Sequence, residues 1–484
     1  MDDSPGMALP FLLVGTGLWL GLVWVMLPRL RGPAALLFMI FSARYLVTFY
    51  HEYTTRPMFG SQSLNSFVTL GITAACLYYT RRDLIRYRAI LPVYGMIAAL
   101  VVSGMLNMEV AGTINALIRQ FLFVGLMLVV ATAIDAEPND GSVSRVMLAA
   151  FMVPVAFQLM SVVFRLGKAS ESDGSVSYMG GYVHESVFSI MMLTALVIVA
   201  LSGGLTWRRR TVYMAVIFTS LFLANYRTAV IAAMPILLIH IIFGSAINAR
   251  AGLANYVRAG AFLGSIILGS LLAVLLSQRM ADIGTLLTQG GGLIKPPSAF
   301  GTEDRGLLSG RILIWSDYLY TTLRSDVSHL VFGFGPDSWQ QQFSIYAHNV
   351  YISYVYEIGF VGTAFYLYML AHFLWLACTA RPDKRWPLIG IHLCYGVLCL
   401  GTMPTFSIEG VMFYAVICGY TLYYYLAERV KSKHVMPGNS LKPRRLARAR
   451  SIRRPPHGMP DGTSIGPNRP TTPVNGPRKR TTVR

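Results

Sequence analysis

Two arginines and a histidine carry the chemistry that this sequence offers. Arg227 sits in Ala-Asn-Tyr-Arg-Thr-Ala, between two apolar runs. Arg311 sits in Leu-Ser-Gly-Arg-Ile-Leu-Ile-Trp, with Trp315 one helical turn further on. His348-Asn349 stands at the mouth of a long apolar run. A guanidinium never loses its charge and forks bidentately onto phosphate oxygens. Two that converge would hold a diphosphate and stabilise it as it leaves. An imidazole, with an unperturbed pKa near ~6.5, acts as a base or holds a phosphate. Each residue also has a plainer reading: Arg227 snorkels at a helix end, Arg311 caps a surface helix, and His348 is a polar helix-end residue.

Other polar residues are less pointed. His184, in Gly-Gly-Tyr-Val-His-Glu-Ser, lies at the start of an apolar run and can join the same site. Glu357 follows His348 by half a turn of phase, about 180° at ~100° per residue, so the two do not face each other. An intramembrane acid is costly alone, and Glu357 is expected to meet a polar group on another helix. Arg119 and Glu409 lie within or beside apolar runs, where local pairing accounts for them. Glu303-Asp304 either binds a divalent cation or is solvated. There is no Asp-x-Asp, no Walker loop and no Gly-x-Ser-x-Gly elbow. No metal and no cofactor are expected.

The elements that must position these residues are membrane helices. The chain is 54% apolar and only 13% charged, against about 25% charged in soluble proteins. Apolar runs near the length needed for a ~30 Å hydrocarbon core recur throughout. They fall near Ala8–Leu27, Ala34–His51, Leu64–Tyr79, Ala89–Leu106, Ala116–Ile134, Val146–Arg165 and Glu185–Ser202. Others fall near Thr211–Asn225, Thr228–Ile247, Ala259–Gln278, Asn349–Thr379, Pro387–Thr402 and Gly410–Ala427. The fold class is all-α and polytopic, with about 12–13 transmembrane helices and one large external loop. Arginines and lysines cluster after the odd-numbered runs, which places those loops and the tail in the cytoplasm and the N-terminus outside. The loop Asp135–Arg145, net acidic, is the exception. The first run lacks a basic n-region and a clear cleavage site, so no cleavable signal is expected. The five cysteines lie in apolar runs, are odd in number and form no CxxC pair, which indicates buried apolar residues.

Four parts follow: membrane helices over 1–278, an external loop over 279–347, membrane helices over 348–427, and a basic tail over 428–484. The tail holds 15 lysines and arginines against 2 acids, with nine prolines, and is expected to be disordered. It suits anionic lipid or a cytoplasmic partner, and its lack of aromatic residues argues against nucleic acid. Within the loop, Gln289-Gly-Gly-Gly marks a flexible entry. Leu307–Leu323 reads as an amphipathic helix lying on the membrane through Leu308, Ile312, Trp315 and Leu319. Gly333-Phe-Gly-Pro is a turn, and Asp337–Tyr346 has room for one more short helix.

In order along the chain, Asn225-Tyr-Arg-Thr, Ser309-Gly-Arg-Ile-Leu-Ile-Trp, Gly333-Phe-Gly-Pro and His348-Asn-Val-Tyr-Ile-Ser-Tyr-Val-Tyr-Glu-Ile-Gly-Phe-Val-Gly form a set. That set resembles the conserved region of the O-antigen ligase and O-antigen polymerase superfamily, over about Ala224–Tyr368. Gly180-Gly-Tyr-Val-His-Glu-Ser looks like a weaker upstream element. The resemblance implies a GT-C-like membrane glycosyltransferase of the bacterial inner membrane, with its active site in the periplasm. Such enzymes take a glycan from an undecaprenyl-diphosphate carrier and pass it to an acceptor hydroxyl, with inversion and without an obligatory metal. By the same resemblance Arg227 and Arg311 hold the diphosphate and His348 lies at the catalytic centre. Asn349, Trp315 and His184 join the arginines in substrate binding. Tyr226 departs from the family pattern, which has a small residue there, and the basic tail is not a family hallmark.

The acceptor stays open. A polymerase extends another carrier-linked repeat, of an O-antigen or exopolysaccharide, and is the favoured reading; a ligase uses lipid A–core. A flippase and a chain-length regulator are the partners such a pathway implies. A lipid-linked glycan transporter or flippase is the reading from another class. It would carry its polar groups near the bilayer midplane, whereas here they crowd one face.

Overall fold

In lipid every backbone N–H and C=O must find its partner within its own segment, so apolar runs of this length fold as helices. The computed structural model describes residues 7–59, 62–137, 140–170, 175–246, 252–275, 294–301 and 310–435. Each expected run is helical there: Leu9–Met26, Gly32–Phe49, Leu64–Tyr79, Leu91–Leu106, Val110–Ala136, Glu185–Leu201, Trp207–Leu223, Arg227–Gly244, Ala254–Leu275, Val350–Cys378, Pro382–Gly401 and Ile408–Val435. The run near Val146–Arg165 is a bent pair, Gly141–Ala149 and Met152–Val163, with 41° between them. Among the described residues, seven helices are long and apolar enough to cross a membrane, or up to eight with the bent pair as one span. Trp207–Leu223 and Pro382–Gly401 open on charged residues, Arg208–Arg210 and Asp383-Lys384-Arg385, which lower their mean hydropathy. The protein is an all-α, polytopic membrane protein. Two short antiparallel ribbons, Pro57–Phe59 with Gln62–Ser63 and Lys168–Ser170 with Ser175–Ser177, are its only strands among the described residues.

Helix length separates two poles: the 17 residues of Glu185–Leu201 rise about 25 Å at ~1.5 Å each. One pole is basic. Lys384 Nζ donates to the Leu201 carbonyl at 2.7 Å and Arg210 Nη2 to that of Ser202 at 2.6 Å. They satisfy the carbonyls that a helix C-terminus leaves free. Arg81 pairs with Asp135 at 2.6 Å, so the first acid of the expected Asp135–Arg145 loop, which lies in the last turn of helix Val110–Ala136, meets a basic neighbour.

Buried charges elsewhere pair between distant segments instead of locally. Glu409 meets Arg44 at 2.9 Å, and Thr48 donates to the same carboxylate at 2.6 Å. Arg119 meets Asp337 at 2.9 Å and lies over the Phe406 ring. The cysteines are free; four are buried, but Cys378, at its helix's last position, is exposed.

The long helix Val350–Cys378 is interrupted at Gly359, where φ is 65° and ψ −172°. Only glycine adopts that geometry without strain. The Gly333–Gly335 turn docks on the break: Phe334 N donates to the Tyr356 carbonyl at 2.9 Å and Gly335 N to that of Glu357 at 2.8 Å. Glu357 was expected to meet a polar group on another helix. Its carboxylate instead accepts from Ser353 Oγ, on the same helix, at 2.6 Å, and from the Asp337 backbone N–H at 2.9 Å. Ser103, on helix Leu91–Leu106, reaches only its backbone carbonyl, at 2.8 Å. An acid beside a helix break finds the loop's donors first.

That docking reshapes the expected external loop. Helices Arg311–Leu323, Val327–Phe332 and Trp339–Gln342 pack against Val350–Cys378. The helix expected to lie on the membrane buries Ile312, Ser316, Tyr318 and Thr322 inside the protein. Tyr318 stacks on Phe343 at 3.8 Å. Only one turn of the segment expected at Asp337–Tyr346 is helical. Ile408–Val435 runs past the expected boundary at Ala427, aided by Arg429, which lies over Tyr425. Gln289, Glu303-Asp304, Leu308 and the tail from 436 lie outside the described residues.

Candidate active site

At the pole opposite the basic one, helix termini converge. His184 is the N-cap of Glu185–Leu201, its Nδ1 accepting the Ser186 backbone N–H at 3.1 Å. Arg227 opens Arg227–Gly244, Arg311 opens Arg311–Leu323, and His348 stands just before Val350–Cys378. Gly401 closes Pro382–Gly401. Helix N-termini present free N–H groups and a positive dipole end, which favour anions. A cavity of about 280 Å³ opens among them, lined by His184, Ser186, Trp339, Tyr346, Thr402 and Ser407 among others.

Arg311 reaches the last turn of Pro382–Gly401. Its Nη1 stands 3.1 Å from where a side chain on Gly401 would begin, and Thr228 Oγ1 stands 2.8 Å from the same point. The glycine leaves room for the guanidinium beside the residue that follows Arg227. Arg227 itself is exposed. Tyr226, the residue that departs from the family pattern, donates its hydroxyl to the Gly401 carbonyl at 3.3 Å. Burial raises its pKa, partly offset by bonds to Thr402 and Thr228 and by the Arg311 charge, so it stays protonated.

His348 lies behind Tyr346, ring centroids 4.1 Å apart. Its φ of 52° is uncommon for a residue with a side chain, and its two neighbours hold it. Trp315 Nε1 donates to the Ala347 carbonyl at 2.8 Å. Asn349 is buried: its Oδ1 caps the helix through the Tyr351 and Ile352 N–H groups, at 3.0 and 3.2 Å, and its Nδ2 donates to the Leu400 carbonyl at 3.2 Å. Trp315 and Asn349 were expected to bind substrate; the side-chain hydrogen bonds seen here go to the backbone of Ala347 for Trp315 and of Tyr351, Ile352 and Leu400 for Asn349.

Electrostatics couple the group. His348 is pushed down to about 4 by burial, then by the positive charge of Arg311 and by His184. It is therefore neutral near pH 7, with a ring nitrogen free to accept a proton. Arg311 and Tyr226 also influence Tyr346, whose pKa burial raises. Of the six expected residues, Arg311, His348 and His184 share one electrostatic environment, Arg227 flanks it through Thr228, and Trp315 and Asn349 support it. Gly401, Thr402 and Tyr346 were missed. The polar break Thr402–Ser407 between two apolar runs was the signal available for Thr402.

Neither a family model nor a curated protein sequence matches the chain.

Proposed function

We propose that the protein transfers a glycan from an undecaprenyl-diphosphate carrier to an acceptor hydroxyl, on the periplasmic side of the bacterial inner membrane. The observation that carries this reading is that Arg311, His348, His184 and Tyr226 share one electrostatic environment at the pole opposite the basic loops, beside a cavity that His184 lines. The positive-inside rule puts the basic pole, and the tail, in the cytoplasm. Arg227 and Arg311 hold the diphosphate of the donor. The acceptor oxygen attacks the anomeric carbon from the face opposite the diphosphate. The bond from that carbon to the phosphate oxygen breaks, and its electron pair leaves with the diphosphate, whose charge the arginines stabilise. The acceptor proton passes to His348. A bound diphosphate offsets the Arg311 charge that depresses this imidazole, making it a better base when donor is present. His184 lines the cavity where donor or acceptor sugar sits.

Polymerisation of an O-antigen or exopolysaccharide repeat is the favoured outcome, with a flippase and chain-length regulator as pathway partners. Ligation to lipid A–core is the second reading. The transporter reading is disfavoured because these polar groups sit at helix ends, away from the midplane. The test is purified protein incubated with a carrier-linked oligosaccharide repeat, with and without lipid A–core. A ladder of lengthened carrier-linked glycan supports the polymerase, and glycosylated lipid A–core supports the ligase. An unchanged donor pool with both acceptors present would remove the enzyme reading.

A further inference from the structure

A second cavity, of about 270 Å³, lies at the basic pole. It is lined by Arg210 and Arg258 and by the rings of Trp207, His240, Phe243 and Trp386. The rings form a built wall. Trp207 stacks on His240 at 5.9 Å, Phe243 on Trp386 at 5.2 Å, and the Arg258 guanidinium lies 5.7 Å over Phe243. His240 Nε2 is held by Thr211 Oγ1 at 2.9 Å. Asp383 also lines the cavity, but its carboxylate is clamped by Arg381 at 3.0 and 2.9 Å. The balance facing the cavity is positive.

Three nitrogen donors of this wall, Trp207 Nε1, Arg210 Nε and Arg258 Nε, are buried without a hydrogen-bond partner. Such orphan donors are rare, because a buried N–H left without an acceptor loses the hydrogen bond that water gave it. Two guanidinium donors and an indole call for an oxygen-rich anion. Exposed Trp386, with the partly buried Ile239 and Phe243 that also line the cavity, offers an apolar surface for acyl chains. Tryptophan is at home where bilayer meets water.

We propose that this cavity is a binding site for the phosphate of an anionic phospholipid, at the end of the helices opposite the candidate active site. The phosphate oxygens accept from Arg210, Arg258 and Trp207, and the acyl chains run along the flank of helix Arg227–Gly244. That helix begins at Arg227, so the lipid would hold the far end of an element that positions the candidate site. The inference does not depend on what the other pole does.

The test is native mass spectrometry of the delipidated full-length protein, titrated with phosphatidylglycerol or phosphatidylcholine. Wild type is expected to bind one phosphatidylglycerol about tenfold more tightly than phosphatidylcholine. Arg258 bonds Asn255 on its own helix at 3.2 Å, and Arg258→Gln, which leaves the tertiary hydrogen bonds described above intact, should reduce that preference several-fold. Arg210 also caps the Ser202 carbonyl, so Arg210→Gln is read only alongside an unchanged melting temperature. Equal affinity of wild type for the two lipids would overturn the proposal. So would an Arg258→Gln protein with undiminished preference. Displacement of the lipid by millimolar inorganic phosphate would move the site to a soluble anion and overturn the lipid assignment.

Discussion

Trp315 gives its indole N–H to the carbonyl of Ala347 at 2.8 Å, so the helix that Arg311 opens also fixes the backbone that presents His348. The cation proposed to hold phosphate and the imidazole are thereby tied to one helix. Geometry of this kind must be held to about half an ångström to be useful in catalysis.

Trp315→Phe keeps the ring and removes this one bond. The lost hydrogen bond is expected to cost about 1 kcal/mol of stability, while glycan transfer falls by about tenfold because His348 is free to leave its φ of 52°. Thermal unfolding and turnover of the purified variant check the pair. Equal losses in both, or none in either, would deny Trp315 a positioning role.

The charge of Arg311 should be readable at His348. The imidazole is expected to titrate at about 4 in the wild type, and Arg311→Gln should move it upward. It should remain below 6.5, since burial is the larger cause. The unfolded chain takes up this proton below its ordinary pKa and the folded chain only near 4. Stability from this group is therefore present above that window and falls as pH drops through it. Histidine-selective NMR across pH 3–8 measures the titration. An unmoved His348 in Arg311→Gln would separate the two residues.

Gly401 is expected to tolerate no side chain without cost to the site. A Cβ there would stand 2.7 Å from Thr228 Cγ2 and 3.1 Å from Arg311 Nη1, so Gly401→Val should displace the guanidinium. Donor KM is expected to rise by about tenfold, near 1.4 kcal/mol, with insertion and folding retained. A variant with normal donor KM would show that Arg311 does not hold the donor.

The Arg44–Glu409 pair is a matter of fold, not of site. Glu409→Gln leaves Arg44 buried without its counter-charge, and breaking such a pair costs about 3–5 kcal/mol. The double variant Arg44→Met, Glu409→Leu should recover most of that loss. Detergent melting curves of the three proteins test this, and a double variant less stable than Glu409→Gln would contradict it.

Much of this was legible in the sequence, because one physical rule, backbone satisfaction in lipid, sets the helices. Leu64–Tyr79 was bounded from its composition alone. His348 and Arg311 stood out because a cation and an imidazole are rare in so apolar a chain. The break at Gly359 was not legible: the apolar pattern runs through it, and only the docked Gly333–Gly335 turn makes the interruption favourable. Nor were the partners of Arg44 and Arg119, each far along the chain, nor the Asp337 backbone N–H that Glu357 accepts from. Gly401 gives no chemical signal at all; its contribution is the space it leaves.

The central claim is that Arg311 holds a diphosphate as a planar fork. Arg311→Lys keeps the charge and removes the fork. The decisive measurement is the rate of glycan transfer by purified wild type and Arg311→Lys, given the same carrier-linked donor in detergent. A loss of most activity, in a variant that melts and inserts as wild type does, is expected. Near-normal transfer by Arg311→Lys would contradict the claim and leave Arg311 as a structural residue of a surface helix.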